Sequence, residues 1–154
     1  MEKMKKVIGA FEKVLVSGMD NLTFTTPEVV AKIDTGAFSG VIHAENITET
    51  DGILQFDLLG DEKLRLETRN FRTRKVRNTH GGVKKRYLVS LKISIDGEEY
   101  ETLLGLDDRR KMRFEMLLGR AFLNKFEVMV DTHKNIELDK EWKKMGVKQW
   151  KSRF

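Results

Sequence analysis

Between Tyr87 and Ile95 the side chains Tyr87, Val89, Leu91, Ile93 and Ile95 fall on one face of an extended backbone, with Ser90, Lys92 and Ser94 opposite. A period of two over nine residues fits a half-buried strand and misfits a helix, whose apolar positions recur every three or four residues. The stripe ends at Asp96-Gly97, a two-residue hairpin signal, so the next segment returns antiparallel through Tyr100, Thr102 and Leu104. The same pattern recurs in Leu54, Phe56 and Leu58, and in Leu64 and Leu66, with further turn signals at Asp51-Gly52, Gly60-Asp61 and Gly81-Gly82. Many short strands at regular turn spacing predict an all-β barrel or sandwich. Helix signals are confined to Arg120–Lys125, after Gly119, and to Leu138–Met145, ending near Gly146. The fold class expected is therefore all-β, with one or two short helices.

A chain of 154 residues, 40% apolar and 34% charged, suits one globular domain spanning 1–154, with no linker, repeat or low-complexity segment to divide it. Cysteine is absent, which removes disulfides, thiolate metal sites and a cysteine nucleophile, and a cytoplasmic location is expected. The basic start of the chain meets Glu12 and Lys13 before any apolar core of a signal peptide forms, and no stretch is apolar for long enough to span a membrane. The net charge of +5 favours acidic partners.

The chemistry concentrates in Val29–Gly40. Val29, Val30, Ala31 and Ile33 suit a buried strand, which rises to Asp34 and drops into Thr35-Gly36-Ala37. A carboxylate at the end of such a strand needs partners, and Gly36 lets the backbone turn and bring N–H groups to it. Downstream, the run Met116-Leu117-Leu118-Gly119-Arg120 pairs an apolar strand with a glycine. Asp-Thr-Gly-Ala followed by Leu-Leu-Gly-Arg resembles the two signatures of the retropepsins, aspartic proteases that carry one such loop per subunit. The blocks from Ala31 to Asp131, including Ile42-His43-Ala44, Val76-Arg77, Gly81-Gly82, Arg86 and Met112-Arg113-Phe114, resemble a small prokaryotic family labelled ATP-dependent zinc proteases and regarded as retropepsin-like.

The resemblance implies a closed acid-protease β-barrel in which Leu118, Gly119 and Arg120 support the catalytic loop. It makes Asp34, Thr35 and Gly36 the catalytic loop and Ala37 a substrate contact. Some bacterial members are associated with glutamate-ligase systems that add glutamates to protein tails, which hints at acidic peptide substrates. Retroviral enzymes carry an aspartate where this chain has Phe38, so Arg120 needs another partner. The residues give neither half of the family label: His43, His80 and His133 are widely spaced, His-Glu-x-x-His is absent, and so is a P-loop. No metal and no cofactor are expected. His43, between Ile42 and Ala44, reads as a packed or surface histidine.

Aspartic proteolysis needs two carboxylates about 3 Å apart sharing one proton, since like charges that close cannot both ionise. This chain holds one Asp-Thr-Gly; Asp131-Thr132 follows an apolar run but continues into His133, and reads as a buried strand ending in a solvated turn. The second carboxylate is then expected from Asp34 of a second copy, across the two-fold axis of a homodimer. Residues Asn78–Val83 are the candidate substrate cover, with Thr79, Gly81, Gly82, Arg77 and Arg86 as substrate-binding positions; an ordinary exposed hairpin turn is the other reading.

Eight cations, Arg69, Arg72, Arg74, Lys75, Arg77, Lys84, Lys85 and Arg86, surround that hairpin with no acid between Arg69 and Arg86. Three readings stand: a solvated face, recognition of substrate carboxylates, or phosphate binding with Phe71 and Tyr87 stacking on bases. No recognised nucleic-acid motif backs the last. The alternative to a protease is an inactive retropepsin-fold dimer that binds peptide or nucleic acid. The Trp142 and Trp150 tail suggests no role.

Overall fold

The computed structural model describes residues 5–78 and 80–145. In chain order its strands are β1 (Val7–Ile8), β2 (Phe11–Met19), β3 (Leu22–Thr23), β4 (Val29–Ile33), β5 (Gly40–Thr50), β6 (Ile53–Leu58) and β7 (Arg65–Thr68). These are followed by β8 (Arg72–Arg77), β9 (Val83–Ile95), β10 (Glu98–Asp107) and β11 (Met116–Leu118), helix α1 (Arg120–Lys125), β12 (Met129–Val130) and helix α2 (Lys140–Met145). The expected all-β class with two short helices is what the chain adopts.

Strands β10, β9, β2, β4, β11 and β5 hydrogen-bond in that order, and β5 returns to β10, closing a six-stranded barrel. Closure leaves no free edge in the ring, the usual escape of an all-β domain from edge-to-edge association. The β9–β10 hairpin forms at Asp96-Gly97 with both residues at positive φ, and Tyr100, Thr102 and Leu104 face Ile93, Leu91 and Val89 in register. Asp51-Gly52 likewise joins β5 to β6. Val14, Val16, Ala31, Ile42, Val89, Leu91, Ile93, Leu104, Met116 and Leu118 fill the interior, all fully buried. The alternation along β9 and β10 is thus the inside and outside of one barrel wall, whereas that of β6 and β7 belongs to strands that extend from β5 outside the ring.

Three local expectations change. Leu64, taken with Leu66 as one strand, ends a 3-10 turn over Glu62–Leu64, because the Asp61 carboxylate accepts the Lys63 N–H and the Asp61 carbonyl accepts that of Leu64. Pairing with β6 therefore begins at Arg65. The strand before Asp131 is not buried: β12 is two residues long, pairs only with β1, and leaves Met129 54% exposed. Asp131 itself is exposed and caps its own turn by accepting the His133 N–H at 2.9 Å. At the tail, Asp139 accepts the N–H groups of Glu141 and Trp142, so the helix begins at Lys140, two residues later than the pattern suggests. Gly146 and Trp150 lie outside the described residues.

Candidate active site

The middle of the barrel delivers Asp34. Strand β4 lies between β2 and β11, and its parallel register with β11 sets Leu118 beside Ile33. The ladder's last bond runs from the Asp34 N–H to the Leu118 carbonyl, at 2.8 Å. The chain then leaves the sheet, and one carboxylate oxygen of Asp34, Oδ1, accepts the N–H groups of Gly36 at 3.0 Å and Ala37 at 3.2 Å. No hydrogen-bond partner for the other oxygen, Oδ2, occurs among the described residues. A carboxylate fixed through one oxygen, half-exposed, with the other open, is able to take a proton from water. Gly36 serves by close approach, not by a left-handed backbone: a Cβ there would stand 3.3 Å from Oδ1.

The loop is gripped from the other side by Gly119 and α1. The Arg120 N–H donates to the Ala37 carbonyl at 2.8 Å and the Ala121 N–H to that of Phe38 at 2.9 Å. The first N–H groups of a helix have no partner within it, and the loop carbonyls supply one here. Those carbonyl oxygens come so near that a Cβ on Gly119 would lie 2.7 and 2.8 Å from them. The Arg120 guanidinium turns back to the same loop, donating to the Thr35 carbonyl at 3.1 Å. Arg120 therefore finds a backbone acceptor in place of the missing aspartate, and Phe38 is left 58% exposed beside it. Thr35 and Gly36 are exposed at the loop tip.

A cleft of about 580 Å³ opens at Asp34. Lys32, Lys111 and Arg113 give it a basic wall, Phe11, Met112, Phe114 and Leu117 an apolar one, and Asp139 to Glu141 close one side.

Pairing of β9 with β10 stops at Leu88, so Val83–Tyr87 continue with β8 alone as a two-stranded ribbon. Its tip is built by Asn78, whose side-chain oxygen accepts the N–H groups of His80 and Gly82, with Gly81 at φ +80°. Thr79 lies outside the described residues. Opposed residues of an antiparallel pair share a face. Arg74 is opposed to Arg86 and Val76 to Lys84, while Lys75 opposes Lys85 and Arg77 opposes Val83 on the other face. The first face meets the body of the protein. Lys84 and Arg86 donate to the two oxygens of Asp107 at 2.7 and 2.8 Å, and Arg74 donates to the Ser39 hydroxyl at 2.6 Å. On the second face Lys85 and the Tyr87 hydroxyl converge on Glu49. Arg86 is thus tied into an ion pair, and Arg77 stands on the face away from it, with no ion-pair partner among the described residues. Phe71 and Tyr87 pack edge to face at 5.8 Å, which occupies the rings expected to stack on bases.

Arg74 and Ser39 escaped sequence reasoning as a pair. Arg74 is one of eight neighbouring cations, and only the β8–β9 register shows which face it takes. His43 is a packed histidine, 4% exposed: one ring nitrogen lies 3.0 Å from Glu45 and the other accepts the Arg109 N–H at 2.8 Å. With both nitrogens committed it does not fit a zinc ligand, and the described residues hold no group of three metal-ligating side chains.

Comparison with known proteins agrees with this geometry. A solved structure from Legionella pneumophila, titled as a protein of unknown function (DUF785), superposes with a TM-score of 0.60 at 27% identity, covering 84% of this chain and 95% of that one. Two curated relatives, from Shewanella halifaxensis and Shewanella pealeana, are each named probable alpha-L-glutamate ligase and are 31% identical over 107 residues. The match takes in 64% of this chain but 23% of each relative, so the chain spans about a quarter of their length. The family model for the RimB-like proteins, described as retropepsin-like aspartic endopeptidase RimB, matches residues 9–141. Barrel, loop and match coincide, and the chain belongs to the RimB-like family of retropepsin-like aspartic endopeptidases.

Proposed function

We infer that this chain is an aspartic peptidase that cuts acidic peptide segments, with Asp34 working as one of a pair completed by the partner's Asp34 in a homodimer. The observation that carries the reading is the Asp34 carboxylate itself, held on Oδ1 by Gly36 and Ala37 and open on Oδ2. In such a pair one carboxylate is ionised and the other protonated. The ionised one takes a proton from water as the water oxygen attacks the scissile carbonyl carbon, while the protonated one donates its hydrogen bond to the carbonyl oxygen. Return of a proton to the departing nitrogen breaks the C–N bond and releases an amine and a carboxylic acid. Thr35 and Gly36, exposed at the loop tip, are the residues that meet the second copy and the substrate backbone.

Two features favour an acidic substrate. The cleft beside Asp34 is lined by Lys32 and Lys111, which have no ion-pair partner among the described residues, and by Arg113, which Glu141 holds at 3.0 Å. Further, the Shewanella relatives that contain a stretch like this chain bear a name that concerns glutamate. Asp34→Asn tests the chemistry: hydrolysis of a glutamate-rich peptide should fall by at least about 100-fold, the lower end of what a positioned acid–base group contributes. The dimer, measured by light scattering, should persist. Turnover that survives the substitution would end the reading.

A further inference from the structure

We propose that Arg74 is a specificity-determining residue of the peptide groove, and that the bond it makes to Ser39 in the free protein is exchanged for a substrate carboxylate. The inference rests on the acidic-peptide reading above and names the residue that would recognise the acid. Three observations lead to it. Arg74 lies on the ribbon face that meets the catalytic loop, and its guanidinium is 2.6 Å from the hydroxyl of Ser39, five residues after Asp34 and in the same loop. Its cross-strand neighbour on that face is Arg86, a like charge, which is costly unless neutralised. Arg86 and its neighbour Lys84 are neutralised by Asp107, but Arg74 has no carboxylate among the described residues, only a neutral hydroxyl.

The guanidinium is exposed, so the donors that Ser39 leaves open face water and are available to a ligand. It offers five N–H donors, of which Ser39 takes one, and bonds to an ionised acceptor are about twice as strong as those to a neutral one. A peptide laid along the Asp34 loop would bring its side chains to the exposed Arg74–Ser39 contact, and a glutamate there would accept two parallel bonds from Arg74. Ser39 acts as a placeholder: it holds the side chain over the loop in the free protein and gives way to a stronger acceptor. Recognition and placement of the cover would then share one residue.

The test compares a peptide of α-linked glutamates with its glutamine counterpart, as cleavage by the otherwise unaltered protein and as binding to the Asp34→Asn protein. In the unaltered protein, kcat/KM should favour the glutamate peptide. Arg74→Gln should shrink that preference by about tenfold or more, the range expected for a charged hydrogen bond. Arg74→Lys should retain part of it, since the charge remains but the fork is lost. An unchanged glutamate-to-glutamine ratio in Arg74→Gln, whatever happens to the rates, overturns the assignment. So does an equal loss on both peptides, which would mark Arg74 as a purely structural tie. Binding separates this failure from failure of the peptidase reading. If the glutamate peptide binds in an Arg74-dependent way but is never cut, Arg74 stands and the peptidase reading falls. Cleavage with an Arg74-independent preference does the reverse.

Discussion

Gly119 is a position where two demands meet in one atom's space. It must end β11 beside Asp34 and open α1 against the loop, and both bring backbone close. A methyl there would stand 2.7 Å from the Phe38 carbonyl oxygen and 2.8 Å from that of Ala37. Neither oxygen is free to retreat, since each accepts a helix N–H. Gly119→Ala should therefore cost about 1–3 kcal/mol in a denaturant melt, the usual range for a forced overpacking. Because the displaced atoms belong to the catalytic loop, activity measured on folded protein should fall as well. Asp34 and Gly119 were both legible in the sequence, because each belongs to a motif whose residue types the chemistry demands. The partner of Arg120 was not. It is the Thr35 carbonyl, and a backbone acceptor leaves no trace in a pattern of side chains.

The β8–β9 ribbon shows what is legible at the scale of an element and what is not. Its turn could be read, as could those at Asp51-Gly52 and Asp96-Gly97, because positive φ selects for glycine and aspartate. The acids that hold it could not: Glu49 and Asp107 lie far off in the chain, on β5 and β10. Both carboxyls sit below their ordinary values. At Asp107 burial alone would raise the pKa, but the Lys84 hydrogen bond and the charges of Lys84 and Arg86 outweigh it. At Glu49 the Tyr87 hydroxyl lowers it most, followed by Lys85. A carboxyl with a depressed folded pKa adds stability above its unfolded value, about 3.9 for Asp and 4.3 for Glu, and the gain fades as pH falls through the lower folded value. The ribbon should therefore loosen selectively below about pH 4. Amide-exchange protection of Lys84–Tyr87, corrected for intrinsic rates, should drop there before that of the barrel core. Asp107→Asn should lower it already at neutral pH and flatten the profile. A ribbon that keeps its protection into acid alongside the core would contradict this account.

For the whole molecule, the strand pattern left barrel and sandwich both open, and the closed barrel that the chain adopts was implied only by the resemblance carried by Asp34–Ala37 and Leu117–Arg120. Hairpins follow from local turns, whereas the parallel pair β5–β10 joins residues about sixty positions apart and needs no turn between them. That pair closes the ring, and with β4–β11 it carries Asp34 to one mouth of the barrel. One barrel supplies one Asp-Thr-Gly loop, and the proposed chemistry requires two carboxylates, so the site is expected to be a property of the assembly. Mixing distinguishes such a site from one that is complete in each chain. If wild-type protein is denatured and refolded with increasing amounts of Asp34→Asn, a self-sufficient chain keeps its activity per wild-type chain. A shared site does not: each variant that pairs with a wild-type chain consumes its only carboxylate, and activity per wild-type chain falls in proportion to the wild-type fraction. Dilution adds an independent arm, since the specific activity of a shared site drops once the concentration falls below that of dimer dissociation. Constant specific activity in both arms would place the whole reaction within one barrel and remove the second Asp34 from the mechanism.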